Sequence, residues 1–122
     1  MATARDITAG GFSPGQAKAI QGQVKTAITA AGTTQGTATS LTASINLVST
    51  ATSLQGVILP SVEIGDSLEV YNDATGTTIV VYPPTSGTIN QLSANSGVNL
   101  ANNTYMVFRK VTATRWIALL SA

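Results

Sequence analysis

Apolar positions along the chain follow two periods. Between residues 14 and 31, Ala17, Ile20, Val24, Ala27, Ile28 and Ala31 share one stripe at helical spacing. Ala17, Val24 and Ala31 recur every seven residues beside Lys18 and Lys25, in the manner of a short coiled-coil seam. Ser13-Pro14 supplies a capping hydroxyl and a first-turn proline, and Gly32 supplies a stop. The pattern predicts a short helix that is weak by itself, because Gly22 and the small stripe residues add little stability. Such a helix must pack on the rest of the chain, on a partner or on copies of itself. Residues 1–12 carry Ile7 and Phe12 as isolated anchors, and read either as a frayed terminus or as an arm that orders against a partner.

Thr33–Ser40 is uncharged and reads as a linker or a first edge strand. The expected organisation is therefore an N-terminal arm and helix, residues 1–36, followed by a β-domain, residues 37–122. From Leu41 the period is two. Leu41, Ala43, Ile45 and Leu47 alternate with Thr42, Ser44 and Asn46, which predicts a strand with the polar set in water. Further strands are expected at Val57–Leu59, Ser67–Asn72, Thr77–Tyr82, Val98–Leu100, Thr104–Val111 and Arg115–Leu120. In the second of these Leu68 and Val70 point inward and Glu69 outward. Asp73-Ala74-Thr75-Gly76 reads as a hairpin turn, Thr112-Ala113-Thr114 as another, and Pro83-Pro84 as a strand stop. Gly56-Val57-Ile58-Leu59 is echoed by Gly97-Val98-Asn99-Leu100, a faint repeat whose two copies at a period of about 40 are too short for a solenoid and fit either two related halves of a sandwich or chance similarity. The expected fold is mainly β: a small antiparallel β-sandwich or jelly-roll with an N-terminal arm and short helix.

Three of these strands lack alternation. Ile79-Val80-Val81-Tyr82, Tyr105-Met106-Val107-Phe108 and Trp116-Ile117-Ala118-Leu119-Leu120 are apolar at consecutive positions, so both of their faces require cover. A β-domain of this size has core enough for about one face. The other face is covered either by the helix or by identical subunits, and the surplus of apolar strand favours a homo-oligomer. Ile79, Val81, Tyr105, Val107, Trp116 and Leu119 then divide between the core and a subunit interface.

Composition narrows the chemistry. The 122 residues include no His and no Cys, which removes disulfides, Cys/His zinc sites, thiol nucleophiles and the Ser-His-Asp triad. Charged residues are 9% of the chain, against about 25% in ordinary soluble proteins, and the net charge is +1. That argues against nucleic acid as a partner, since phosphate binding needs a basic face. No apolar run is long enough for a membrane span, and Met1–Gly11 lacks the form of a secretory signal. The acidic group Glu63, Asp66, Glu69 and Asp73 has neither calcium-loop spacing nor a pocket to separate its pKa values, and reads as solvated turn and edge charge. Arg109, Lys110 and Arg115 flank the last hairpin and read as partners of the acidic strand edge, as simple edge protection, or as a patch for an anionic glycan or a negatively charged protein surface. No enzymatic activity, cofactor or metal is expected.

The run Gly65-Asp66-Ser67-Leu68-Glu69-Val70-Tyr71-Asn72, followed by Val80-Val81-Tyr82-Pro83-Pro84, Gly87-Thr88-Ile89-Asn90, Asn95 and Trp116-Ile117, resembles small virion structural proteins of tailed bacteriophages. The kind it resembles is the head-decoration, cement or head-fibre protein, and the likeness covers about residues 37–120. The resemblance implies a compact β-domain, often trimeric, displayed on the capsid exterior and gripping the major capsid protein through an N-terminal arm or helix. On that footing Ile7, Phe12, Ile20, Val24 and Ile28 are the expected capsid-attachment residues, the chain is a homotrimer, and its location is the virion surface. The alternative expectation is a fibre-tip or adhesin-like module that binds host surface glycans through Tyr71, Tyr82 and exposed Asn and Thr side chains.

Overall fold

The computed structural model of the chain describes residues 23–120. Its strands are β1 (Val24–Thr29), β2 (Thr39–Ser40), β3 (Ile45–Thr50), β4 (Gly56–Ile58), β5 (Ser67–Asn72), β6 (Ile79–Tyr82), β7 (Thr88–Ile89), β8 (Val98–Leu100), β9 (Tyr105–Lys110) and β10 (Arg115–Leu120). They form a six-stranded sheet, β1-β3-β5-β9-β10-β7, and a four-stranded sheet, β2-β4-β6-β8. Among the described residues the one helical segment is a single 3-10 turn at Gln35–Thr37.

Through β6 the chain visits the two sheets alternately and stacks on itself. β1, β3 and β5 are parallel neighbours in the large sheet, and β2, β4 and β6 are parallel neighbours in the small one. Val24 pairs with Ile45 and Ile45 with Glu69, while Thr39 pairs with Val57 and Val57 with Val81. One coil thus takes 18–24 residues, and each coil buries its inward face only by stacking on the next. The chain then reverses. β8 runs antiparallel on β6, β9 antiparallel on β5, and β10 closes a hairpin with β9 while pairing in parallel with β7.

The fold is mainly β, as expected, but the arrangement is β-solenoid-like and not an antiparallel sandwich or jelly-roll. The physical reason sits at the corner after β5. The turn residues Asp73–Gly76 predict a hairpin, yet β5 and β6 lie in different sheets. Asn72 holds that corner open: its amide donates to Thr77 O at 2.7 Å and Leu100 O at 2.8 Å, and its Oδ1 accepts the Ala74 N–H at 2.9 Å. The faint repeat has a different meaning from two halves of a sandwich. Gly56 and Gly97 flank β6 from its two sides, and a Cβ on either would strike the Tyr82 ring or Val80.

Two local expectations are also corrected. The part of the expected helix that the structure describes is strand β1, and residues 1–22 lie outside the described residues. β1 carries an irregularity between Lys25 and Ile28, with Ala27 at φ 57°. Such a bulge breaks strand alternation and leaves Val24 and Ile28 four apart on opposite faces. Gly32 does adopt a left-handed conformation, φ 64°, at a corner packed against Thr37, where it ends a strand segment. In β3 the dry and wet faces are exchanged relative to the alternation. Asn46 and Val48 point inward, fully buried, and Ile45 and Leu47 point out. Pairing with β5 sets this: Asn46 aligns with Val70 and Val48 with Asn72, and a one-residue slip would turn every side chain over.

The core lies between the sheets. Val48, Val70, Phe108 and Trp116 from the large sheet meet Val57, Ile79, Val81 and Leu100 from the small one, each at most 1% exposed. Full burial of side chains of this size contributes about 1.5–3 kcal/mol apiece.

Candidate functional site

The side of the large sheet turned away from the core is built by strand register. Reading across the strands, Val24, Ile45, Glu69, Val107 and Leu119 form one row. Leu47, Tyr71 and Tyr105 form the next row, and Ser67, Arg109 and Ile117 the row on the other side. Paired residues in neighbouring strands project to the same face, so these three rows are one surface. It is apolar except for Glu69, Arg109 and Ser67. Val24, Tyr105, Ile117 and Leu119 are exposed by 62%, 44%, 48% and 72%. Contiguous apolar exposure of this kind marks interaction surfaces, whereas single exposed apolar residues do not.

The central row holds a depression of about 160 Å³ lined by Ile45, Glu69, Tyr71 and Tyr105. Tyr71 donates its hydroxyl to Asn103 Oδ1, and Asn103 sits in a left-handed conformation, φ 62°, with its N–H on Asn72 O at 2.8 Å. The buried corner built on Asn72 therefore also orients the aromatic edge of the outer face.

The sequence-predicted residues divide clearly. Ile79, Val81 and Trp116 are core, at most 1% exposed, while Tyr105, Val107 and Leu119 are outward on the large sheet. Of the expected attachment residues, Ile7, Phe12 and Ile20 lie outside the described residues, Val24 stands at the β1 end of the outer face, and Ile28 packs in the core. Tyr82 is held between Gly56 and Gly97, and its hydroxyl donates to Thr33 O at 3.1 Å. Ile45, Leu47 and Ile117 also belong to the outer face. Sequence pattern does not single them out, because only the pairing register shows which residue of an apolar pair points out.

Polar groups elsewhere serve the turns. Asp66 Oδ2 accepts the Glu63 N–H at 3.1 Å, and Lys110 Nζ donates to Val62 O at 2.8 Å. Asn90 Oδ1 accepts the Ala118 N–H at 2.9 Å, and Asn95 Oδ1 accepts the Ser86 N–H at 2.6 Å. A polar groove of about 600 Å³ runs past Gln23, Ser44, Ser61, Asp66 and Ser67, along the first residues of β1, β3 and β5. No group of three or more acidic side chains suited to a metal ion occurs among the described residues.

No protein-family model matches this chain, and no curated protein matches it. What the geometry of the described residues defines is a mainly β, solenoid-like arrangement in which the outer face of the large sheet is apolar and exposed.

Proposed function

We propose that this chain is a non-catalytic structural protein of a tailed-phage particle, bound to the capsid exterior as a decoration, cement or head-fibre protein and assembled as a homotrimer. The observation that carries this reading is the outer face of the large sheet, whose rows of Ile, Leu, Val and Tyr gain by meeting like surface. At about 25 cal/mol per Å², a few hundred Å² of shared apolar surface contributes several kcal/mol before association costs. Several subunits held together then convert weak single contacts with the shell into tight binding through effective concentration. In this proposal Ile7, Phe12, Ile20 and Val24 contact the major capsid protein.

A second reading, a fibre-tip module for host glycans, is favoured by one observation: Tyr71 and Tyr105 are cross-strand neighbours on the outer face beside Glu69. Aromatic faces next to a carboxylate suit sugar rings. Mixing the full chain with undecorated capsids and with host surface polysaccharide decides between the two. Co-sedimentation with capsids that is lost in Ile7→Asp or Phe12→Asp supports decoration. Capture by polysaccharide alone supports the glycan module, and a wild-type chain that is monomeric at capsid-binding concentrations overturns the homotrimer.

A further inference from the structure

We propose that a second copy of this chain seats on the outer face of the large sheet, with Arg109 of one copy against Glu69 of the other. The inference rests on the self-association proposed above; because a face that meets a turned-over copy of itself joins copies in pairs, it predicts a two-fold dimer through this face in place of the homotrimer.

Glu69 stands in the middle of the face. Ile45 lies directly across from it on β3, Val107 directly across on β9, and its side chain lines the depression with Tyr71 and Tyr105. It is the only acidic residue in the three rows, and it is half-buried among apolar neighbours. Arg109 lies two positions along β9 from Val107, on the same face, and is exposed between Ser67 and Ile117. Neither charged group forms an ion pair with another described residue. An apolar face bearing one offset charge of each sign is complementary to itself once a copy is turned over, because each contact then recurs reciprocally. The pairing keeps both charges matched when the surrounding surface is desolvated; a wrong register would bury them unmatched.

The size of the face decides how much the charges matter. Five strands spaced about 4.8 Å apart, each of about six residues rising about 3.3 Å, give a flat footprint near 20 Å by 20 Å, roughly 400 Å². Side-chain relief raises the accessible area, yet the contact stays toward the low end of stable interfaces, which bury about 800 Å² per partner. Apolar burial on that scale is marginal, so a repulsive pair at its centre is enough to disperse the assembly.

The test is native mass and sedimentation equilibrium on the full chain, for the wild type, Glu69→Arg, Arg109→Glu, the double variant and a one-to-one mixture of the two single variants. Each single variant should associate at least about tenfold more weakly than wild type, since like charges then face each other. The mixture should recover hetero-association, because the two reversed charges are opposite in sign and meet only between unlike chains. Far-ultraviolet dichroism confirms folding. Where a reversed charge unfolds the chain, Glu69→Gln and Arg109→Gln replace it, and salt should weaken wild-type assembly while leaving the Gln variants unchanged. If the wild type assembles and the single variants assemble equally well, the Glu69–Arg109 contact is wrong while self-association stands. If the single variants are weakened and only the double variant recovers, the pair acts within one chain and the inter-chain contact is overturned. A monomeric wild type overturns the underlying self-association.

Discussion

Replacing Asn72 by Ala removes the group that holds the corner between β5 and β6. Asn72 is fully buried and uses both ends of its amide. Its Nδ2 donates to Leu100 O, itself buried, and to the partly buried Thr77 O, and its Oδ1 accepts from the buried Ala74 N–H. A buried polar group stripped of its partner costs about 1–3 kcal/mol, whereas a partly buried one regains water and loses about 1 kcal/mol. Two buried orphans and one partly buried carbonyl therefore sum to about 3–7 kcal/mol, a large share of the roughly 5–15 kcal/mol by which a domain is stable. Asn46→Ala is the internal control. It loses bonds from Nδ2 to Ala43 O at 2.8 Å and Glu69 O at 3.2 Å, but it also removes Oδ1, a buried acceptor with no partner. The two effects offset, so a loss of about 1 kcal/mol is expected. The assay is urea unfolding followed by emission of the single Trp, Trp116, which is 1% exposed and will shift to the red on unfolding. The midpoint should fall with an unchanged m-value. If Asn72→Ala loses no more stability than Asn46→Ala, the corner does not depend on that amide and the account of why β5 and β6 part into two sheets is refuted.

Three other outcomes follow from the same geometry. Gly97→Ala places a Cβ 2.4 Å from Val80 Cγ1 and 3.0 Å from the Tyr82 ring, and should cost about 1–3 kcal/mol in thermal unfolding; Gly36→Ala, with open space around it, should be nearly neutral. Val81→Glu buries a carboxylate at a position with no exposure, and the chain should fail to give a cooperative transition. Leu119→Glu changes a residue 72% exposed on the outer face, so thermal stability should stay within about 0.5 kcal/mol while the native mass falls to that of a monomer.

Much of the strand inventory is legible without coordinates. Ser67–Asn72, Val98–Leu100 and Arg115–Leu120 are strands at the expected residues, and Glu69 faces out as expected. In β5 the alternation, and in all three the flanking turn residues, are local properties that the chain carries wherever it folds. The consecutive apolar runs likewise announce more apolar strand surface than one core hides, and Tyr105 and Leu119 are exposed where Ile79, Val81 and Trp116 are buried.

Three features escape local reading because each is decided between segments far apart in the chain. The helical stripe at 24–31 is a strand, since the bulge near Ala27 mimics the phase of a helix and pairing with β3 overrides a weak propensity. The polar face of β3 points inward, because β5 dictates its register and supplies Glu69 O as an acceptor for Asn46. Most consequentially, parallel stacking replaces hairpins. A four-residue turn fits a hairpin or a corner equally well, and only the buried amide of Asn72, reaching across to Leu100, selects the corner. Composition and periodicity by themselves determined a mainly β protein with surplus apolar strand surface. Which residues form the outward face, and that Glu69 and Arg109 share it, depended on registers between strands up to about forty residues apart, which no local pattern encodes.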